Sequence, residues 1–109
     1  DGTNLVVGAR EDLTVSSGVV TATQTKIAVT PETGSSDDLD TINSTGQAPI
    51  LIIGSITSAA DVTLKDGTDN LYMAGDFTLS TSNDTICFIG DNNASADSGL
   101  FELSRSNNT

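Results

Sequence analysis

The amino-acid sequence predicts an all-β fold, a compact sandwich or barrel of many short antiparallel strands with one short helical turn near residues 36–42. The first observation behind this prediction is a period-2 alternation of apolar and polar residues, which is typical of half-buried strands. The alternating apolar positions are Leu71, Met73, Phe77, Leu79, Ile86 and Phe88. The second observation is that strand-like segments recur along the chain. The third is that Gly, Asn and Asp, which favour turns, separate them.

Candidate strands follow one another at residues 5–7, 13–15, 19–21, 26–30, 50–56, 62–65, 71–73, 77–80, 85–89 and 101–104. We expect the strands at 13–15 and 19–21 to form a hairpin across Ser16-Ser17-Gly18, a short loop that contains Gly. The strand at 26–30 should end at Pro31, because proline has no N–H to donate to a neighbouring strand.

One segment departs from the strand pattern. Residues 35–42 read SSDDLDTI, in which capping residues precede Leu39 and Ile42 at a spacing of three. This arrangement is typical of a single helical or 3₁₀ turn, with Ser36 or Asp37 as the N-cap. We therefore predict a helical turn here, and we expect Leu39 and Ile42 to close one end of the β core.

Length and composition indicate a single domain over residues 1–109 with a thin core. The chain begins at Asp1 and not at Met, which leaves room for residues upstream. Only 36% of the residues are hydrophobic, and the aromatic residues are three Phe and one Tyr. A lone copy with so little apolar surface to bury would be marginally stable, so we expect association with identical copies to add buried area. Cys87 is the only cysteine, which excludes a disulfide within one chain.

The net charge of −11 makes nucleic acid and anionic membrane surfaces unfavourable partners, because both repel an acidic chain. The acidity serves solubility or attracts a basic partner surface. The longest apolar run, PILII at 49–53, is far shorter than the ~20 residues needed to cross a bilayer, and we expect it to be a buried strand.

Catalytic motifs are absent from the sequence. The chain has no histidine, which removes the commonest general base and the commonest transition-metal ligand. Cys87 lies in the apolar run Ile86-Cys87-Phe88-Ile89, where we expect a buried, inert thiol. We therefore expect no enzyme activity and no cofactor.

Two acidic stretches are the remaining candidates for ion binding. Asp37, Asp38 and Asp40 cluster within four residues, and the stretch from Asp91 to Gly99 is rich in oxygen ligands. The second stretch lacks the ligand spacing and the bidentate Glu of a calcium loop. Capping and a solvated loop explain these residues, so we expect no metal site. Whether the first cluster ever holds a cation is left open by the sequence.

Several segments from Asp37 onward resemble a module that recurs in structural proteins of tailed bacteriophages. They are DDLDTIN at 37–43, Gly46-Gln47, the apolar strand at 50–53, KDGTDNLYMAGDFTL at 65–79, the turn at 83–85 and ELSRSNN at 102–108. In that module a DDLDTI-like turn leads to a G-Q-hydrophobic strand, a KDGTGN turn, an AGDFTL strand and a terminal ELSRSNN-like strand.

The chain departs from that pattern in two places. A longer loop from Gly90 to Gly99 replaces a YDGTNW-like hairpin, and Phe101 replaces the usual Trp. The longer loop is either surface variation, which exposed loops accept easily, or an adapted contact surface.

Proteins that carry this module are tail fibres, head fibres or capsid decoration proteins, typically homotrimers. The resemblance therefore implies a non-enzymatic decoration (cement) protein on the capsid surface of the virion, which stabilises the head and has copies of itself and the major capsid protein as partners. The alternative is a receptor- or glycan-binding module of a tail or head fibre, with exposed loops at 90–99 or 66–70 as contacts. A non-viral secreted or filament subunit is a third reading.

Strand alternation indicates which side chains would meet at the shared apolar centre of a homotrimer. These predicted residues are Ile50, Ile52, Phe77, Leu79 and Phe88.

Overall fold

β-strands joined by turns and irregular segments make up the part of the chain that the structure describes, and no helix occurs in that part. The structure, a computed structural model, describes residues 9–44, 51–56, 60–90 and 99–108, and gives only the backbone at 44 and 51–55. The strands in these ranges are β1 (Glu11–Thr14), β2 (Val19–Ala22), β3 (Lys26–Thr30), β4 (Ser36–Leu39), β5 (Thr41–Ser44), β6 (Leu51–Ile56), β7 (Asp61–Leu64), β8 (Leu71–Tyr72), β9 (Phe77–Leu79), β10 (Thr85–Gly90) and β11 (Leu100–Ser106). The all-β prediction is confirmed. The strand predicted at 5–7 lies outside the described residues.

The strands form three sheets that share one hydrophobic core. The largest sheet has the order β1-β3-β6-β10-β11-β8, a second pairs β2 with β5, and a third has the order β4-β7-β9. From β3 the chain passes through β4 in the third sheet and β5 in the second, and returns as β6 beside β3. The strands in the first part of the molecule therefore wind in successive turns of the chain. We call each turn a coil, and each coil packs against the one before it.

This winding explains a difference from the predicted antiparallel arrangement. Among the described residues, β1-β3, β3-β6, β2-β5, β4-β7 and β8-β11 pair in parallel. The pairs β7-β9, β6-β10 and β10-β11 are antiparallel. Alternation along a strand determines which face is buried, but it carries no information about the direction of the neighbouring strand.

Successive coils place apolar residues in register across the sheets. Leu13 pairs with Val29, which pairs with Ile56. In the third sheet Leu39 pairs with Leu64, which pairs with Phe77. Because each coil covers the apolar residues of its neighbour, strands of four or five residues are long enough to build a continuous core.

The helical turn predicted at 36–42 is wrong. The segment forms β4 and β5, which pair in parallel with β7 and β2. Leu39 and Ile42 are nevertheless in the core, as expected, at 1% and 3% exposure. One helical turn is a weak structure because its first hydrogen bond must fix several residues. Pairing of β4 with β7 and of β5 with β2 gives the backbone of this segment hydrogen-bond partners on neighbouring strands instead.

The predicted hairpin at 13–21 is right about the turn and wrong about the strands. Ser16 and Val19 exchange two backbone hydrogen bonds of 2.9 and 3.0 Å, and the two residues between them have positive φ, 52° at Ser17 and 79° at Gly18. Such a turn reverses the chain tightly. β1 and β2 then diverge into different sheets, because each finds its partner in the next coil.

Candidate functional site

The structure places three of the residues predicted for a trimer centre inside a single chain. Phe77, Leu79 and Phe88 are 6%, 1% and 0% exposed and pack in its core. Ile52 lies on β6, where its backbone pairs with Phe88, and Ile50 lies outside the described residues. Since the three buried side chains have almost no surface left to lose, a contact between copies has to use other side chains.

Four large apolar side chains are exposed in the part of the chain that the structure describes. They are Tyr72 at 49%, Ile89 at 37%, Phe101 at 42% and Leu103 at 58%. Tyr72 pairs with Phe101 across β8 and β11, and Phe101 pairs with Ile89 across β11 and β10. Leu103 lies two residues further along β11, at the register shift opposite Cys87 and Phe88. We call these four residues the apolar stripe.

The two aromatic residues of the apolar stripe stack on each other. The ring centroids of Tyr72 and Phe101 are 5.0 Å apart and their planes differ by 17°. Gly99 makes room for this arrangement, because a Cβ at that position would lie 2.8 Å from Cε2 of Tyr72. Stacked pairs of this kind add to the stability gained from burial alone.

The sequence reasoning missed this surface, although a signal was present. In the segment Leu71-Tyr72-Met73 both faces of the strand are apolar, but the period-2 pattern includes only Leu71 and Met73. Leu71 is fully buried and Tyr72 is half exposed. A strand that is apolar on both faces predicts either a second layer or a contact outside the chain.

An ion pair beside the apolar stripe holds β11 against the turn that precedes β9. Arg105 binds Glu102 through Nε–Oε2 and Nη2–Oε1 contacts of 2.7 and 2.8 Å. Its Nη2 also donates to the carbonyl of Gly75 at 2.8 Å, and its guanidinium lies 4.7 Å from the centroid of the Phe77 ring. Glu102 accepts a further hydrogen bond from the N–H of Ala74 at 2.9 Å.

The pKa values of this pair follow from their contact. The hydrogen bonds from Arg105 are the main cause that lowers the pKa of Glu102, against the effect of burial, which raises it. The same hydrogen bonds raise the pKa of Arg105. Both groups therefore stay ionised over the whole physiological pH range, and their opposite charges compensate each other.

A buried carboxylate joins the turn at 83–85 to the C-terminal end of the described chain. Asp84 is 0% exposed and accepts hydrogen bonds from the N–H groups of Ser80, Thr81 and Asn108 at 2.9, 3.2 and 2.6 Å. The side chain of Asn108 returns a hydrogen bond of 2.9 Å to the carbonyl of Asn83. These contacts are those of a structural clamp.

The carboxylates of the acidic cluster at 37–40 make hydrogen bonds and charge interactions within the chain. Asp37 accepts hydrogen bonds from the N–H groups of Glu32 and Asp38, both at 2.8 Å. The hydrogen bond from Lys65 to Asp76 is the main cause that raises the pKa of Lys65, and the negative charges of Asp38 and Asp40 raise it further. A cluster of three or more groups able to hold a metal ion is not found in the described ranges. The stretch 91–98 lies outside them.

Cys87 is partly buried on β10, between two core residues. Burial raises the pKa of its thiol, which leaves it protonated and weakly nucleophilic at neutral pH. Its neighbours along the strand are apolar, and histidine is absent from the chain.

Comparison with known proteins adds no assignment, because no family model, curated protein or solved structure matches the chain. Within the described ranges, no helix is long and apolar enough to span a bilayer.

Proposed function

We propose that this protein is a non-enzymatic structural component of a tailed-phage virion, a decoration protein on the capsid surface that stabilises the head. On this proposal it assembles as a homotrimer and binds the major capsid protein. The proposal starts from the resemblance of ordered motifs to those of phage structural proteins, and the observation that carries it is the exposed apolar stripe on a chain of net charge −11. A surface of this kind on so acidic a chain is a contact surface.

The polar residues of the motifs support a structural role. Asn70 bonds the backbone of Ile42, Glu102 and Arg105 bond each other, and Asp84 bonds the segment that ends at Asn108. Residues committed to such contacts position turns and strands.

The proposed function is mechanical. Subunits placed at junctions between capsid proteins would add contact area and so raise the force needed to separate those junctions. Three sheets around one core form a stiff body that can transmit such a load. The acidic faces would keep particles dispersed or meet basic surfaces on the capsid.

A receptor-binding module of a tail or head fibre is the second candidate. The stacked pair Tyr72 and Phe101 favours it, because exposed aromatic rings are suitable for packing against sugars or protein surfaces. In that case the stripe would face the host cell and not the capsid.

Locating the protein on its particle tests the two candidates. Gold-labelled antibody raised against the folded domain is applied to virions and viewed by electron microscopy. We expect label over the whole head. Label on fibres or at the tail tip would replace the decoration proposal with the receptor-binding one, and particles without label would reject both.

Capsid stability provides the functional readout. Particles that lack the protein should release their genome at a lower temperature than complete particles, and adding back the purified protein should restore the higher value. Equal release temperatures would contradict a stabilising role even if the label covers the head.

A further inference from the structure

We infer that the apolar stripe is the surface through which two copies of this chain bind each other. The inference deepens the proposed function by naming the residues of the self-contact, and it rests on the self-association that the proposal includes. The four residues of the stripe are Tyr72, Ile89, Phe101 and Leu103.

The use of aromatic residues is the first argument. The chain has only three Phe and one Tyr, yet Tyr72 and Phe101 are held at the surface, 49% and 42% exposed. Phe77 and Phe88 supply the aromatic part of the core. A chain with so few large apolar side chains gains nothing from leaving two of them in water, unless another surface covers them.

The extent of the surface is the second argument. The four side chains together leave on the order of 300 Å² of apolar surface in water, the size of the largest patches on ordinary monomers. A standard interface buries about 800 Å² on each partner, with an apolar centre and a polar rim. The apolar stripe has the size of such a centre, and exposed polar neighbours such as Ser104 supply a rim.

Charge selects a second copy over a basic partner. The stripe itself carries no ionised group, and the adjacent Glu102 and Arg105 neutralise each other. Two copies can therefore meet at the stripe without bringing like charges together, although each carries −11 elsewhere. A basic partner would be attracted to the acidic faces and would gain no electrostatic energy at this neutral surface.

The sequence between β10 and β11 contains no large apolar side chain that could pack on the stripe. The segment between β10 and β11 reads DNNASADS from 91 to 98, and its largest apolar side chain is that of Ala. Polar segments of this composition gain little by packing on aromatic rings. Further copies of the chain, by contrast, offer the same apolar surface, and the stripes of three copies can meet around the three-fold axis of a closed homotrimer.

Sedimentation velocity on the full chain, from low to high micromolar concentration, tests the inference. We expect an oligomer that dissociates on dilution, and we expect Phe101→Glu to lower its association constant at least tenfold. Thr21→Glu is the matched control, since it adds the same charge at an exposed position of β2, and it should change the constant less than twofold. Leu103→Ser provides a second variant at the most exposed position of the stripe, and circular dichroism verifies that each variant is folded.

The dependence of the association constant on salt tests whether the contact between copies is made at a neutral surface. Association between like-charged copies at a neutral surface should become tighter as NaCl is raised, because salt screens their mutual repulsion. A chain that stays monomeric at every concentration, or an oligomer that Phe101→Glu and Leu103→Ser leave intact, would overturn the inference. A monomer that still labels the phage head would remove this interface and the proposed homotrimer, and would leave only the proposed place on the capsid. If the oligomer depends on the stripe but the antibody labels no particle, the self-contact would stand and the decoration proposal would fall.

Discussion

The side-chain amide of Asn70 makes hydrogen bonds to both backbone groups of Ile42. Its Oδ1 accepts from the N–H of Ile42 at 3.1 Å, and its Nδ2 donates to the carbonyl at 2.9 Å. Asn70 is 4% exposed, so these bonds are made away from water. One side chain thus takes the place of a neighbouring strand and connects β5 to the turn before β8.

Replacing this amide should be costly. Asn70→Ala would leave the N–H and carbonyl of Ile42 unpaired in the interior, and we expect it to lower the free energy of unfolding by about 2–3 kcal/mol. Urea denaturation followed by circular dichroism measures the change. Asn83→Ala removes the same side chain at an exposed turn and should cost less than about 0.5 kcal/mol. Equal effects of the two substitutions would contradict the role given to Asn70.

The Asp84 clamp should show a graded response. Asp84→Ala leaves the N–H groups of Ser80, Thr81 and Asn108 without their carboxylate acceptor, and we expect a loss of about 3 kcal/mol. Asp84→Asn keeps one acceptor oxygen and should cost less. Hydrogen exchange should also become faster at Asn108 in both variants. Unchanged exchange at that residue would mean that the clamp does not hold the end of β11.

Acid should destabilise the protein through Glu102. Its pKa is lowered from its ordinary value of 4.5, chiefly by the hydrogen bonds from Arg105. A lowered pKa in the folded state gives stability that is present above pH 4.5 and is lost as the pH falls through the folded-state value. Urea midpoints measured from neutral pH downward should therefore fall below pH 4.5.

Removing the ionisable group should flatten that decline. Glu102→Gln should be less stable than the parent at neutral pH and should lose less stability on acidification. Ser104→Ala, a change at a neighbouring exposed residue that does not ionise, should keep the slope of the parent. A parent-like slope in Glu102→Gln would show that another carboxylate controls the acid response.

Gly18 should tolerate substitution less well than Gly34. Both have positive φ, 79° and 70°, which costs a residue with a Cβ about 1 kcal/mol. At Gly18 the added Cβ would also lie 2.7 Å from Oδ2 of Asp40, whereas at Gly34 no atom lies within 4 Å. Thermal melts should rank Gly18→Ala below Gly34→Ala, and adding Asp40→Ala should remove the difference. An unchanged difference in the double variant would assign it to the backbone instead.

Leu79 should stabilise one chain and not the contact between copies. Leu79→Ala leaves a cavity in the core, and we expect a loss of about 3 kcal/mol that does not depend on protein concentration. The exposed Leu103→Ala should change the stability of the isolated chain by less than about 0.5 kcal/mol. Urea unfolding at low and high protein concentration separates a loss of stability within one chain from a loss of the contact between copies. A loss at Leu79 that grows on dilution would return it to the shared centre that alternation predicts.

Alternation alone located most of the described strands, because the period-2 pattern is a local property of a half-buried strand. The segments predicted at 26–30, 62–65, 77–80 and 85–89 all lie on strands of the structure, within one residue at their ends. The burial of Leu39 and Ile42 was also predictable, since their apolar side chains have no favourable place in water. The acidic, histidine-free composition limited the chemistry in the same direct way.

Which strands pair with each other could not be predicted from alternation. β4 pairs with β7, and β5 with β2, across separations of more than twenty residues. The capping pattern at 36–42 is local and contains no information about these pairings, so it predicted a helical turn where the structure has strands. The candidate site depended on the same information. Whether Tyr72 and Phe101 face a second layer or solvent is decided by which strands lie beside β8 and β11 and by what covers the sheet.

The sequence by itself thus determined that the chain forms strands and that apolar residues such as Leu39 and Ile42 enter the core. The tertiary structure alone decided the parallel winding, the clamps at Asn70, Asp84 and Glu102, and the exposure of the apolar stripe. The physical reason is that burial preference and alternation belong to each residue and its near neighbours. Strand pairing and surface exposure depend instead on how distant segments meet when the core closes.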